Sequence, residues 1–347
     1  MQLLGKIPNL EFLSLDRTGV TATGIAHLRG LPKLRTLHLP DNLGREVIPV
    51  ISSLESLQTM YPFPRDITDD DLAQLSKLTH LRALDLQRGK LTPQGYKHLE
   101  KFQEATEISL HHQCPREALA SLKNMKLQGF HFPQFATDED VEVFASMPTL
   151  RVIFLNNNMS DKAVATISKF SQLEQLGMGF SISITDRGMA PLRQLKSLKE
   201  LWLHERAGDD ALRIVAQIPS MRQLHIPYGG PVTDEGIEAL VALPNLTTLT
   251  LPQNTSDRSC EAASKLRELQ VLEVHGKEIT PDGLRKLAGL NKLSLLVIYK
   301  QLSAKDAAAL KEFKKVNSLM LNRTGLSDAA IAELTKALPG VQFHVSK

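Results

Sequence analysis

The chain is expected to fold as an α/β solenoid of about 14 units, with a parallel sheet on the concave side and short helices on the convex side. Two observations carry this expectation. The spacing L-x-x-L-x-x-L-x-L recurs from end to end, as at Leu31-Leu34-Leu37-Leu39, Leu78-Leu81-Leu84-Leu86 and Leu243-Leu246-Leu249-Leu251. Its second position falls at Leu10, Leu34, Leu57, Leu81, Ala105, Leu127, Leu150, Leu173, Leu198, Met221, Leu246, Leu269, Leu293 and Val316, 14 copies set 22 to 25 residues apart. A fixed period of this length marks a fold in which each unit buries its apolar side only against its neighbours.

Within a unit the L-x-L core, for example Leu201-Trp202-Leu203, reads as a short strand. Alternation turns both leucines inward and the residue between them onto the open face. A hydroxyl follows, usually with Asp or Pro after it, as at Thr68-Asp69, Thr92-Pro93, Thr137-Asp138, Ser160-Asp161, Thr233-Asp234 and Ser327-Asp328. Such a residue caps a helix by accepting from an otherwise orphaned amide, while Asp suits the helix dipole and Pro the first helical position. Apolar residues at three-residue spacing then mark the buried side of the helix, as in Ile237-Leu240-Leu243 and Leu284-Leu287-Leu290. Parallel strands joined by such crossovers form a horseshoe.

The T-D-x-G segment, seen at Thr185-Asp186-Arg187-Gly188 and Thr233-Asp234-Glu235-Gly236, resembles bacterial leucine-rich-repeat proteins that carry a helix in each unit, and the resemblance covers the whole chain. Three units depart from it, and their helices are expected to be short or irregular. The second has Gly44-Arg45-Glu46-Val47 and Pro49, the fifth has Cys114-Pro115, and the ninth has Gly208 in place of the capping hydroxyl. A single domain is expected over residues 1–347. Residues 338–347 resemble a closing half-unit, and residues 1–30 form a first repeat without a polar cap. The first repeat is therefore expected to fray, or an N-terminal portion to be missing.

Bulk composition narrows the class. The chain has 347 residues, 42% hydrophobic and 23% charged, with a formal net charge of +3, so it calls for no strongly acidic partner. No run approaches the roughly 20 apolar residues of a membrane span. The opening Met1-Gln2-Leu3-Leu4-Gly5-Lys6 lacks the pattern of a secretory signal. The two cysteines, Cys114 and Cys260, fall six repeats apart, too far to pair, and they assign no redox compartment.

Three positions per repeat project from the open sheet: just before, between and just after the L-x-L leucines. None of the 42 is Lys or Arg, although the chain has 41 such residues. A phosphate-binding groove needs clustered cations, so nucleic acid is not the expected partner. Six of the 11 histidines lie in these columns (His38, His111, His131, His204, His225 and His275), as do Phe12, Tyr61, Phe63, Phe154, Trp202 and Tyr299. Aromatic residues on an exposed face dominate interface energy, and the expected partner surface is Tyr61, Phe63, His111, His131, Phe154, Trp202, His204, His225 and Tyr299. Tyr61 and Phe63 also admit a bland reading, as cover for a loosely packed repeat. The histidines admit three: polar contacts, a pH-sensitive interface, or a structural metal between His111 and His131 or His204 and His225.

No nucleotide, hydrolase or zinc-finger signature occurs, and no cofactor is expected. The clusters Asp69-Asp70-Asp71 and Asp209-Asp210 fall at helix starts, where capping accounts for them. The expected function is a non-enzymatic scaffold binding an unidentified protein or peptide on the concave face. The alternative is the recognition part of a larger enzyme or signalling protein, whose other domain lies N-terminal to this chain.

Overall fold

The structure is a computed structural model describing residues 1–41, 43–111, 113–145 and 147–346. Its contacts divide the chain into two compact units, Met1–Ile153 and Phe154–Lys347.

The first unit holds strands β1 (Phe12–Ser14), β2 (Thr36–His38), β3 (Thr59–Tyr61), β4 (Ala83–Asp85), β5 (Glu107–Ser109) and β6 (Gly129–His131). β1, β2 and β3 are parallel and in register through Leu13, Leu37 and Met60, as are β4 and β5 through Leu84 and Ile108. The irregular helices expected in the second and fifth repeats are found there. The second is a 3-10 turn (Arg45–Val47) running into Ile48–Ile51, and the fifth is only Glu117–Ala120.

β7 (Val152–Phe154) leads into the second unit, which carries β8 (Gln175–Gly177), β9 (Glu200–Trp202), β10 (Gln223–His225), β11 (Thr248–Leu251), β12 (Val271–Val274), β13 (Leu295–Ile298), β14 (Ser318–Asn322) and β15 (Gln342–Ser346). β8 to β15 form one parallel sheet in sequence order. One buried ladder crosses it in register: Leu176, Leu201, Leu224, Leu249, Leu272, Leu296 and Leu319. β15 lies in the expected closing half-unit, whose last residue, Lys347, is outside the described residues.

The ninth repeat corrects an expectation. Its helix, Asp209–Val215, is a full seven residues although Gly208 offers no capping hydroxyl. The Gly208 amide donates instead to the Asp186 carboxylate of the preceding repeat, at 3.2 Å to each oxygen.

That bond belongs to a wider pattern. The Asp after the cap does more than stabilise its own helix; it bridges to the next repeat. Asp209 accepts from the backbone N–H and hydroxyl of Thr233 at 2.8 and 2.7 Å, and Asp161 does the same with Thr185 at 2.7 and 2.8 Å. Asp69 likewise bonds Thr92, and Asp257 bonds Thr280. Each of these carboxylates fills the space that a Cβ would need three residues past the partner cap, at Gly95, Gly188, Gly236 and Gly283. Glycine in the T-D-x-G segment is thus set by the aspartate one repeat earlier.

At two units that lack this aspartate, the pairing reverses. Arg45 and Arg116 stand in its place and reach Asp71 (2.9 Å) and Asp140 (3.2 Å), buried carboxylates at the position where glycine stands elsewhere. Pro281 also stands there, and the following Asp306 is buried against Lys300 at 3.2 Å.

Both cysteines are buried free thiols, and burial pushes each up to about 12. Among the described residues no helix is long and apolar enough to cross a membrane.

Candidate functional site

The open sheet face of the second unit carries a trough of about 1040 Å³. Its floor follows from strand register. Trp202 on β9 and His225 on β10 are direct neighbours, so their side chains leave the sheet one strand spacing apart. Two flat rings in that relation stack face to face. Their centroids lie 4.6 Å apart with planes 6° from parallel, close to the ~4.8 Å between strands. The His225 Nε2 meets the Glu200 carboxylate at 3.2 Å, which fixes the imidazole over the indole.

Gly177 extends this stack. It sits opposite Trp202 on β8, and the Phe154 ring lies where a Cβ at position 177 would be. Phe154 therefore reaches across β8 and meets Trp202 at 5.1 Å with a 48° tilt. Any other residue at 177 would part the two rings. Phe154, Trp202 and His225 form one aromatic cluster, held together by a glycine.

A second cluster stands further along the sheet. His275 and Tyr299 occupy the position after the strand on β12 and β13 and stack at 4.3 Å and 7°. Tyr228, in the turn after β10, covers the other face of His275 at 5.6 Å and 20°. Between the clusters the floor falls to Thr250, which is buried. Glu273 lies beside the second cluster, its carboxylate 3.7 Å from His275 Nε2. The faces left open to solvent are large: Tyr228 is 67% exposed, Phe180 on the near rim 69% and Tyr299 44%.

Four of the nine residues expected at the partner surface therefore meet around this trough: Phe154, Trp202, His225 and Tyr299. Two do not reach the surface at all. Phe63 is 7% exposed and His204 1%, so neither can carry a partner contact. Both stand just after their strands, where the chain leaves the sheet, and in both repeats the side chain turns into the core. Neither His204 ring nitrogen makes a hydrogen bond, and the nearest carboxylate, Asp186, is 3.5 Å away. Burial lowers the affinity of this imidazole for a proton, against the opposing pull of Asp186 and Asp161.

The remaining three lie in the first unit. Tyr61 is exposed and completes an edge-to-face row with His38 and Phe12. His111 turns its Nδ1 to the backbone N–H of Gln113 at 3.1 Å, bracing its own turn. His131 is exposed on β6. The two histidine pairs considered for a metal do not form wider ligand clusters. Among the described residues no group of three or more His, Cys, Asp or Glu side chains is gathered as a metal site would need.

Sequence columns missed Tyr228 and Phe180, which sit in turns beyond the three strand positions. They counted His275 and Glu273 without singling them out. Pro227 before Tyr228 was the available signal, since proline ends the strand ladder and throws the next residue outward.

No family model and no curated protein matches the chain. Among solved structures it is similar to an internalin from Listeria monocytogenes, at 20% identity and a TM-score of 0.50, covering 100% of this chain and 89% of that one. It is also similar to a leucine-rich-repeat protein of Leptospira interrogans, at 18% identity and a TM-score of 0.56, covering 98% and 91%. The chain has the leucine-rich-repeat fold. Trp202 and His225 stand at the mid-strand position that alternation turns to the open face, whereas His275 and Tyr299 follow their strands and Tyr228 and Phe180 lie in turns.

Proposed function

We propose that this leucine-rich-repeat protein is a non-enzymatic recognition module that binds a protein or peptide on the open sheet face of its second unit. One observation carries the reading: two aromatic clusters, built on Trp202 and on His275–Tyr299, face solvent across a single trough of about 1040 Å³. Aromatic side chains of this kind bring large contact area at small conformational cost. Nucleic acid is not the proposed partner, because the strand columns of the face hold no Lys or Arg. The repeat, unbroken in sequence over residues 1–347, is proposed as one domain.

The test is affinity capture from the source lysate with the wild-type chain and a Trp202→Ala/Tyr299→Ala variant, followed by titration of the captured protein. A hot spot at Trp202 costs at least about 2 kcal/mol on truncation. A partner retained by the wild type and lost from the variant supports the reading. Equal affinity for both overturns it.

A further inference from the structure

The trough is lined by charges of both signs, and Glu273 within it is turned to His275 at 3.7 Å. Glu205, in the turn after β9, lines the end at the Trp202 cluster. Lys277 and Arg323, in the turns after β12 and β14, line the end at the Tyr299 cluster. Lys300, in the turn between those two, is already neutralised: its buried ammonium donates to the Ile279 carbonyl and to Asp306. Lys277 and Arg323 are exposed, and among the described residues neither meets a carboxylate. By contrast, Lys199, Lys286, Lys292, Arg258 and Arg285 each meet an acidic side chain of a neighbouring repeat. Arg323 also holds φ at 53°, a backbone region that Gly or Asn enters at lower cost. The side chain at that turn is therefore not chosen for the turn.

Geometry sets a second constraint. Trp202 on β9 and His275 on β12 are three strand steps apart, about 14 Å at ~4.8 Å per step. An extended chain advances about 3.3–3.6 Å per residue, so a peptide crossing the strands spans that distance in about four residues. Lys277 and Arg323 are two strands apart, about 10 Å, close enough for two long side chains to converge on one anion over β13.

We propose that the trough takes an extended peptide bearing two flat apolar side chains about four residues apart, with a carboxylate just beyond the second that seats between Lys277 and Arg323. The first side chain stacks on the Trp202 cluster and the second on the Tyr228–His275–Tyr299 cluster. Glu205 repels the anionic end and fixes the peptide's direction. This inference rests on the peptide-binding reading above.

The test pans a phage-displayed library of random linear peptides on the full chain, on Trp202→Ala/Tyr299→Ala and on Lys277→Glu/Arg323→Glu, each checked for a wild-type circular-dichroism spectrum. The expected result is enrichment of sequences with two aromatic or proline residues at i and i+4 and an Asp or Glu shortly after. A synthetic peptide of that consensus should lose about tenfold or more in affinity on the charge-reversed variant, and Lys277→Gln/Arg323→Gln should lose less. Peptides that need Trp202 and Tyr299 but carry neither the spacing nor the acid overturn this inference and leave the peptide reading standing. Enrichment that ignores Trp202 and Tyr299 overturns both, and no enrichment on the wild type overturns this inference while leaving a folded-protein partner standing.

Discussion

The Asp209 carboxylate occupies the place where a side chain at residue 236 would begin, while both its oxygens bind the cap of that same repeat at Thr233. A Gly236→Ala substitution should therefore destabilise the chain, by about 1–3 kcal/mol as overpacking against a fixed neighbour. This runs opposite to helix propensity, which favours Ala over Gly. In an Asp209→Ala background the same substitution should cost less, with Leu212 Cδ1 and the Cα of residue 209 still 3.0 and 3.2 Å from the new methyl. Urea midpoints of the four combinations check this, and additive losses would refute the steric link.

Lys300 and Asp306 form a buried pair at the edge of the trough. Lys300→Met leaves the buried carboxylate with its Ser303 bonds but no cation and should cost up to about 3 kcal/mol, while Lys300→Met/Asp306→Asn should cost markedly less. Burial alone would raise the Asp306 carboxyl, but hydrogen bonds from Ser303 and Lys300 outweigh it and hold it below the usual carboxylate range. A carboxyl lowered on folding stabilises the native state above its unfolded value and loses that contribution as pH falls. Thermal melts between pH 5 and 2.5 should show a shallower acid loss in the double variant than in the wild type.

His204 predicts the opposite ionic behaviour. Its imidazole is buried without a hydrogen bond and holds a proton less readily than in the unfolded chain. Below the ordinary imidazole value of about 6.5 the unfolded state binds the proton first, so stability falls as pH drops from 7 to 5.5. His204→Leu should match or exceed the wild type at pH 7 and lose less on acidification, as read from urea midpoints at the two pH values. An equal pH slope in both proteins would remove His204 as the source.

Trp202 is the chain's single tryptophan and lies on the floor of the trough, so selectively excited tryptophan fluorescence reports on that floor alone. Gly177→Ala should push the Phe154 ring off the indole and change the emission with little change in circular dichroism. Phe154→Ala/Gly177→Ala removes the collision and should tolerate the new methyl. Identical spectra in wild type and Gly177→Ala would contradict the placement of Phe154 across β8.

The repeat and the inward leucines were legible in the sequence because burial repeats with a fixed period, and Leu176 through Leu319 stack where that period places them. Phe154, Trp202 and His225 were legible as open-face residues because strand alternation is a local rule. His204 and Phe63 were not, since the position after the strand is where the backbone leaves the sheet, and there the turn decides which way a side chain points. Tyr299 and His204 hold equivalent positions, yet one is exposed and the other buried. The bridge from each aspartate to the next repeat was hidden for another reason: capping within one helix explained Asp209 well enough on its own, and only neighbouring repeats seen together reveal the second duty.

That second duty gives the joints between repeats a grammar. An Asp-type end accepts a following unit whose helix opens small, as at Gly188, Gly236, Ser259 and Gly283, and an Arg-type end accepts one opening with Asp, as at Asp71 and Asp140. Units of the same length are consequently not interchangeable. Duplication, deletion or shuffling of repeats leaves a sound array only where the two new neighbours belong to the same class, so the history open to such a chain is confined to cuts that respect its joints.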